Sequence, residues 1–384
     1  MPVLFALGFR PFFLLAGFLA IVLVAAWVVV FVGGFAFDTY YGQLGWHSHE
    51  MIFGYTSAVV AGFLLTAVIN WTERPTPTGG YLAAMAALWL VGRIMPLFPE
   101  TLPGWLIALV DLTFLPVVAI GIGVPLAHKG EKRNLVFLLL LSGLFIANLQ
   151  VHLDLLGYGQ QPAGSGVFLG LHIVILLIVI MGGRVIPFFT ERALQGVVIK
   201  RWPVIEWLAP ISTLAFLCSE LFRADMVVVG ACAALAAIVN GIRLASWYTN
   251  RFWPVPLLWV LHLGYGWIVM GFCLEAAAAF RAIPPQSTTH AFTAGAIGVL
   301  TLGMMARVAL GHTARPLRVG PAMAVAFALV NLAAFLRALP PIWYPQWFSE
   351  FVIFSGAFWC IAFFIFVVIY TPILTQPRID GRPG

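Results

Sequence analysis

Runs of about 20 apolar residues follow one another along the whole 384-residue chain, and its charges fall mostly in the short connections between them. No other feature constrains the fold so tightly. In lipid every backbone N–H and C=O must be satisfied within the protein, which leaves helices or a closed barrel, and runs of this length are helical. Only 9% of the residues are charged, against about 25% in a soluble domain. Such a chain cannot cover a water-facing surface. The expected fold is an all-α integral membrane protein, a twelve-transmembrane-helix bundle forming a single transmembrane domain over residues 1–384. The spans lie near 12–33, 51–70, 81–98, 105–127, 134–154, 166–187, 204–221, 226–247, 254–280, 288–310, 321–338 and 347–370. Turn chemistry supports the breaks at Thr72–Gly80, at Gly157–Pro162 and at Pro284-Pro285. The first run is too long for a signal-peptide core and reads as a retained helix.

Alternating connections assign orientation. With the N-terminus inside, the outer side carries only Arg93, Arg223, Arg281 and Arg337 of the chain's 20 Lys and Arg residues. The other sixteen fall inside, a strong positive-inside bias. Both termini are therefore expected to be cytoplasmic. The net charge of +6 is a topology signal, with no basic face for nucleic acid. Cys218, Cys232, Cys273 and Cys360 lie inside apolar spans without paired spacing and read as small apolar fillers.

This orientation gives the histidines meaning. His47 and His49 open the second span at its outer end, His152 nears the outer end of the fifth, and His172 enters the sixth from outside. His290 starts the tenth span from the same side. Five of eight histidines thus share an outer stratum, while His262 lies nearer mid-membrane and His128 and His312 lie at the inner surface. A single histidine at a helix end is ordinarily an interfacial or capping residue. Five at one depth, from several helices, are how a bundle builds an internal metal or cofactor site. His47 and His49 are two residues apart and diverge by about 200° on a helix, so they cannot share one centre without irregular backbone.

Other polar groups fit a site at that depth. Glu50, Asp111, Asp154 and Glu275 are placed to orient ligands or carry protons, and Asn148 shares a helix face with His152. The four outer arginines need anionic partners. A heme with two propionates would supply them, as would Glu100, Glu220 or Glu350. There is no CxxCH, which argues against covalently attached heme, and no Walker A motif or hydrolytic constellation.

Several segments resemble the NnrS family of bacterial inner-membrane proteins. They are Gly8-Phe-Arg-Pro-Phe-Phe13, Trp46-His-Ser-His-Glu-Met-Ile-Phe-Gly54, Ala61–Thr72, Gly182-Gly-Arg-Val-Ile-Pro-Phe-Phe-Thr-Glu191, His290–Gly298 and Thr301–Pro316. They cover nearly the whole chain in order. The resemblance implies a multi-pass protein of the bacterial inner (cytoplasmic) membrane that holds heme b and copper and is linked to nitric oxide, in denitrification or nitrosative stress. The helix count and the histidine layer also look distantly like the catalytic subunit of heme–copper oxidases, at the level of the fold alone. The paired neighbouring histidines that such a subunit carries on its seventh helix are absent here.

The expected function is a heme and copper protein acting on nitric oxide near the outer face, leaning towards an oxidoreductase with quinol as electron donor. In this reading His49 and His290 clamp the heme while Arg93 and Arg337 balance its propionates. Copper falls to His152 and His172, with His47 as third ligand and His262 as alternate. The rivals are a twelve-helix secondary transporter and a heme-handling maturation factor. Against the transporter, the connection after the second span, Trp71-Thr-Glu-Arg-Pro-Thr-Pro77, lacks the Gly/Asp/Arg-rich signature of major-facilitator proteins.

Overall fold

A computed structural model describes residues 2–34, 37–129, 132–159, 164–280, 283–382. Among them there is no strand, and twelve helices are long and apolar enough to cross a membrane. They are α1 (Phe9–Phe31), α2 (Gln43–Thr72), α3 (Gly79–Leu97), α4 (Gly104–His128), α5 (Lys132–Leu155) and α6 (Ser165–Ala193). There follow α7 (Pro203–Leu221), α8 (Met226–Ser246), α9 (Pro256–Ala279), α10 (Gln286–His312), α11 (Pro321–Ile342) and α12 (Pro345–Thr375). The protein is a multi-pass, all-helical membrane protein, as the hydropathy pattern requires.

Local chemistry sets the helix ends. Prolines 203, 256 and 321 open α7, α9 and α11, where a missing N–H costs nothing. The Asp225 carboxylate accepts the Val227 N–H at 2.8 Å and caps α8. The α2 helix begins at Gln43, ahead of the boundary that hydropathy gives. His47, Ser48, His49 and Glu50 are polar, yet they continue the helix from a break at Gly42, whose φ of 67° suits glycine.

The chain divides into two compact units. The first comprises residues 1–170, 305–317 and 363–384. Within it α2 packs on α1 and α4, and α4 on α3 and α5. The second comprises residues 171–304 and 318–362, with α8 against α7 and α9, and α10 against α9 and α11. The most enclosed helices are α2 and α10, with 89% and 83% of their apolar windows buried.

These two helices share a departure from α geometry. Each contains a π-helical segment, Glu50–Thr56 in α2 and Ala291–Gly298 in α10. Each segment begins immediately after a histidine, His49 or His290. Such segments free carbonyls from the regular ladder and recur at functional sites. In α2 the side chains take up the slack: Thr56 Oγ1 donates to the Met51 carbonyl at 2.7 Å, and Trp89 Nε1 donates to that of Gly54 at 3.1 Å.

Candidate metal centre

The first unit brings a group of buried polar side chains together from α2, α3, α4 and α5. His49 from α2, Asp111 from α4 and Asn148 and His152 from α5 are all buried, as are Glu50 and, on α3, Arg93. Asp111 Oδ2 is the hub. It stands 3.0 Å from His152 Nε2 and 3.4 Å from His49 Nε2, and it accepts Asn148 Nδ2 at 2.7 Å. The second carboxylate, Glu50, lies 3.2 Å from His49 Nδ1. Arg93 reaches both acids, donating Nη1 to Glu50 at 2.9 and 3.0 Å and Nη2 to Asp111 Oδ1.

Two tyrosines missing from the sequence reading complete the cluster. The Tyr41 ring stacks on His49 with centroids 4.0 Å apart, and Tyr40 stacks on His152 at 5.6 Å. The Tyr40 hydroxyl lies 3.3 Å from His152 Nδ1. Both tyrosines sit in the turn before α2, pinned by the Tyr40 N–H on the Pro96 carbonyl at 2.9 Å. Burial pushes the Tyr40 phenol up to about 12 and Tyr41 well above the usual tyrosine range, so both remain neutral partners. Gly54 makes room for the acid–arginine pair: a Cβ there would meet Glu50 Oε2 at 2.6 Å and Arg93 Nη1 at 3.0 Å.

The hydrogen bonding does not close. Asn148 gives its amide to Asp111, so its Oδ1, 2.9 Å from His49 Nε2, needs a donor there. On the other side of the ring stands Glu50, also an acceptor. A neutral imidazole has one N–H, so one of its nitrogens turns a lone pair towards an oxygen. Flipping the Asn148 amide only moves the conflict, setting its oxygen against Asp111. With two carboxylates and one guanidinium, the cluster is one cation short while His49 is neutral, a charge that an imidazolium or a metal ion would supply.

The geometry suits an ion. The donor atoms of His49, Asp111 and His152 all lie within 4.8 Å of one another. Two donors each about 2.1 Å from a metal stand roughly 3.0–3.4 Å apart, as both imidazoles do from Asp111 Oδ2. Glu50 and Tyr40, on the two Nδ1 atoms, are placed to orient the rings and leave each Nε2 to ligate.

A family model described as NnrS protein matches residues 3–378. The chain belongs to the NnrS family. Membership in the NnrS family links it, at family level, to nitric oxide and to metal and heme binding. No individual curated protein matches the chain.

The remaining candidates are distributed otherwise. His47 stacks on Trp27 at 4.5 Å, away from the face that carries His49 into the cluster. His172, His262 and His290 belong to the second unit. His172 is buried between Phe216 and Phe292, His262 stacks on Phe252 at 4.2 Å, and His290 Nδ1 lies 2.8 Å from the Gln286 carbonyl. Among the described residues, His49, Asp111 and His152 are the group of three such donors that meets. The arginine partners are also clear. Arg93 is held by Glu50 and Asp111, carboxylates of the chain itself. Arg337 lies over the Phe348 ring at 5.0 Å, and Arg281 lies outside the described residues.

Proposed function

We propose that His49, Asp111 and His152 hold a copper ion, and that the protein binds or converts nitric oxide there. The observation that carries this reading is the missing cation in a buried set of two imidazoles and two carboxylates. Imidazole with one oxygen donor suits copper among the first-row metals. A bound copper ion would supply an open position for a diatomic ligand and one-electron chemistry. The chain's own residues would do the rest. Glu50 and Tyr40 orient the imidazoles, Arg93 holds Asp111 in place, and Tyr41 shields His49 from water. Nitric oxide is small and apolar and can arrive through lipid without a polar channel. Reductive turnover would also need an electron donor, for which quinol is the natural membrane candidate.

For the heme that the family association implies, the second unit offers His262 and His290. Each directs Nδ1 to the carbonyl four residues earlier, Leu258 at 2.9 Å and Gln286 at 2.8 Å. Such an Nδ1 contact is the kind that orients the ring of a ligating histidine. His49, engaged on both nitrogens in the first unit, is better suited to the copper set than to the heme. Arg337 remains the candidate propionate partner of that unit. We assign the metal cluster to the outer face and both termini to the cytoplasm on the distribution of loop charge. Reporter fusions at Gly159 and Gly381 should then report opposite sides.

The decisive measurement is copper and heme content with optical and paramagnetic resonance spectra of the purified protein. His152→Ala should lose copper and keep its heme absorbance. A wild-type protein that is colourless and metal-free when isolated from copper-replete cells would defeat this reading and favour transport.

A further inference from the structure

The first unit holds a second charged cluster, independent of the metal reading, where α1 begins and α12 ends. Two segments far apart in sequence meet there: Phe9-Arg10-Pro11, and His312–Pro316 after α10. The Phe9 and His312 rings lie 5.7 Å apart. Arg10 is fully buried and gives Nη1 to the carbonyls of Leu374 at 2.8 Å and Gln376 at 2.9 Å. Arg378 gives Nη1 to the His312 carbonyl at 3.1 Å and its other nitrogens to Asp380 at 2.9 and 2.7 Å. Arg315 and Arg378 are close enough to Arg10 to act on it electrostatically.

The charges differ from those at the metal cluster: Arg315 and Arg378 lie in electrostatic range of Arg10, and Asp380 pairs with Arg378. The α12 carbonyls account for Arg10, because a helix C-terminus favours a cation. They do not account for Arg315. Its Nη1 is buried and has no hydrogen-bond partner among the described residues. The backbone before it is strained, with Ala314 at φ 60°, a region that side-chain-bearing residues seldom adopt. That kink sends the Arg315 N–H back to the Leu310 carbonyl at 2.9 Å, and the Arg315 charge acts on Arg10.

We propose that Arg10, Arg315 and Arg378 form a binding site for a phosphate group. A guanidinium fork matches phosphate oxygens two at a time. Basic pockets at the ends of membrane helices are where lipid phosphates dock. The phosphate belongs to an anionic lipid headgroup or to free inorganic phosphate, and the experiment separates the two.

Thermal unfolding of the full chain is measured in phosphatidylcholine nanodiscs, with and without phosphatidylglycerol, and with inorganic phosphate added at constant ionic strength. Wild type should unfold at a higher temperature with one of the two anions, and the one that acts identifies the source. Arg315→Gln should abolish the rise, and Asp380→Asn should enlarge it by removing the competing carboxylate. Arg251→Gln, an exposed basic residue elsewhere, should keep it. Should Arg315→Gln fail to accumulate, Arg315→Lys, which keeps the charge and loses the fork, should need about tenfold more of the same anion. The proposal is overturned if wild type responds to neither anion. A full wild-type response from both Arg315 variants also defeats it, as does equal loss of response in Arg251→Gln.

Discussion

Arg93 in the first unit and Arg243 in the second are both buried among helices beside carboxylates, and the two are neutralised differently. In the second unit Arg243 meets one carboxylate, Glu206, and gives its remaining donors to the Val179 carbonyl at 2.8 Å and the Tyr265 hydroxyl at 3.1 Å. Tyr265 in turn donates to Asn240 at 2.5 Å. Every guanidinium nitrogen of Arg243 has an acceptor and the charge sum is zero, with Glu206 Oε1 left over. In the first unit Arg93 meets two carboxylates, and His49 stands between two further acceptors, Glu50 and the Asn148 amide oxygen, with one N–H to give when neutral. A buried polar network that closes on itself specifies a fold. One that is left with surplus acceptors is built for something that arrives later. On this contrast the Arg243 network reads as structural, and the Arg93 network is the one proposed above to take a metal.

The largest expected effect comes from removing the hub's cation. Arg93→Gln strands two buried carboxylates and should cost about 3–5 kcal/mol of stability. If the contrast holds, copper should raise the unfolding temperature of this variant more than that of wild type, because the ion replaces the lost charge. An equal rise in the two proteins would break the comparison.

Arg243→Gln should cost less, about 2–3 kcal/mol, because the partner it strands, Glu206, is 23% exposed and retains some water. Its copper content should equal that of wild type. A copper loss there would mean that the closed network is not merely structural.

Gly54→Ala sharpens the first-unit side. The added methyl displaces the Glu50–Arg93 pair, an overpacking worth about 1–3 kcal/mol, and should weaken copper binding by loosening Glu50 from His49. Tyr40→Phe comes next: loss of its hydroxyl frees His152 Nδ1 and should lower copper affinity about tenfold with little change in unfolding temperature. Both are read by competition with a copper chelator.

The smallest effect is expected at the exposed Arg378–Asp380 pair, where water screens both charges. Arg378 holds the Asp380 carboxyl down to about 2 from 3.8. Any stability this gives is present above pH 3.8 and is lost as pH falls towards 2. Without added anion, Asp380→Asn should therefore differ slightly from wild type at neutral pH and converge with it near pH 2 in thermal melts.

The spans were legible in the sequence, and lateral position was not. Hydropathy and loop charge depend on distance along a helix, so they place His49, His152, His172 and His290 in one stratum. They carry nothing about which helices are neighbours, and the histidines divide between the two units. Glu50, Asp111 and Asn148 stood out as polar residues in apolar runs, which is why they were legible. Arg93 stood out for the same reason, but its partners lie 43 and 18 residues away on other helices and no local pattern encodes them. Tyr40 and Tyr41 were lost against an aromatic content of 14%, where a tyrosine near a membrane surface is unremarked. The π-helical segments have no hydropathy signature at all. Their trace is the run of small and hydroxyl residues, Gly54, Thr56 and Ser57, whose side chains or absence of one accommodate the freed carbonyls.

The π-helical segment after His49 has a consequence for how this site is inherited. A helix turns by about 100° per residue, and a π-helical segment amounts to one residue inserted into an α-helical register. Everything from Gln43 to His49 is therefore rotated by about a quarter turn relative to a plain helix continued back from Ser57. Deleting one residue between Glu50 and Thr56 would let the helix relax and would swing both imidazoles together, taking His49 from Asp111 and bringing another side chain round. A single-codon deletion could dismantle the centre while every ligand survived in the gene, so the spacing from His49 to Ser57 is as much a part of the site as the ligands.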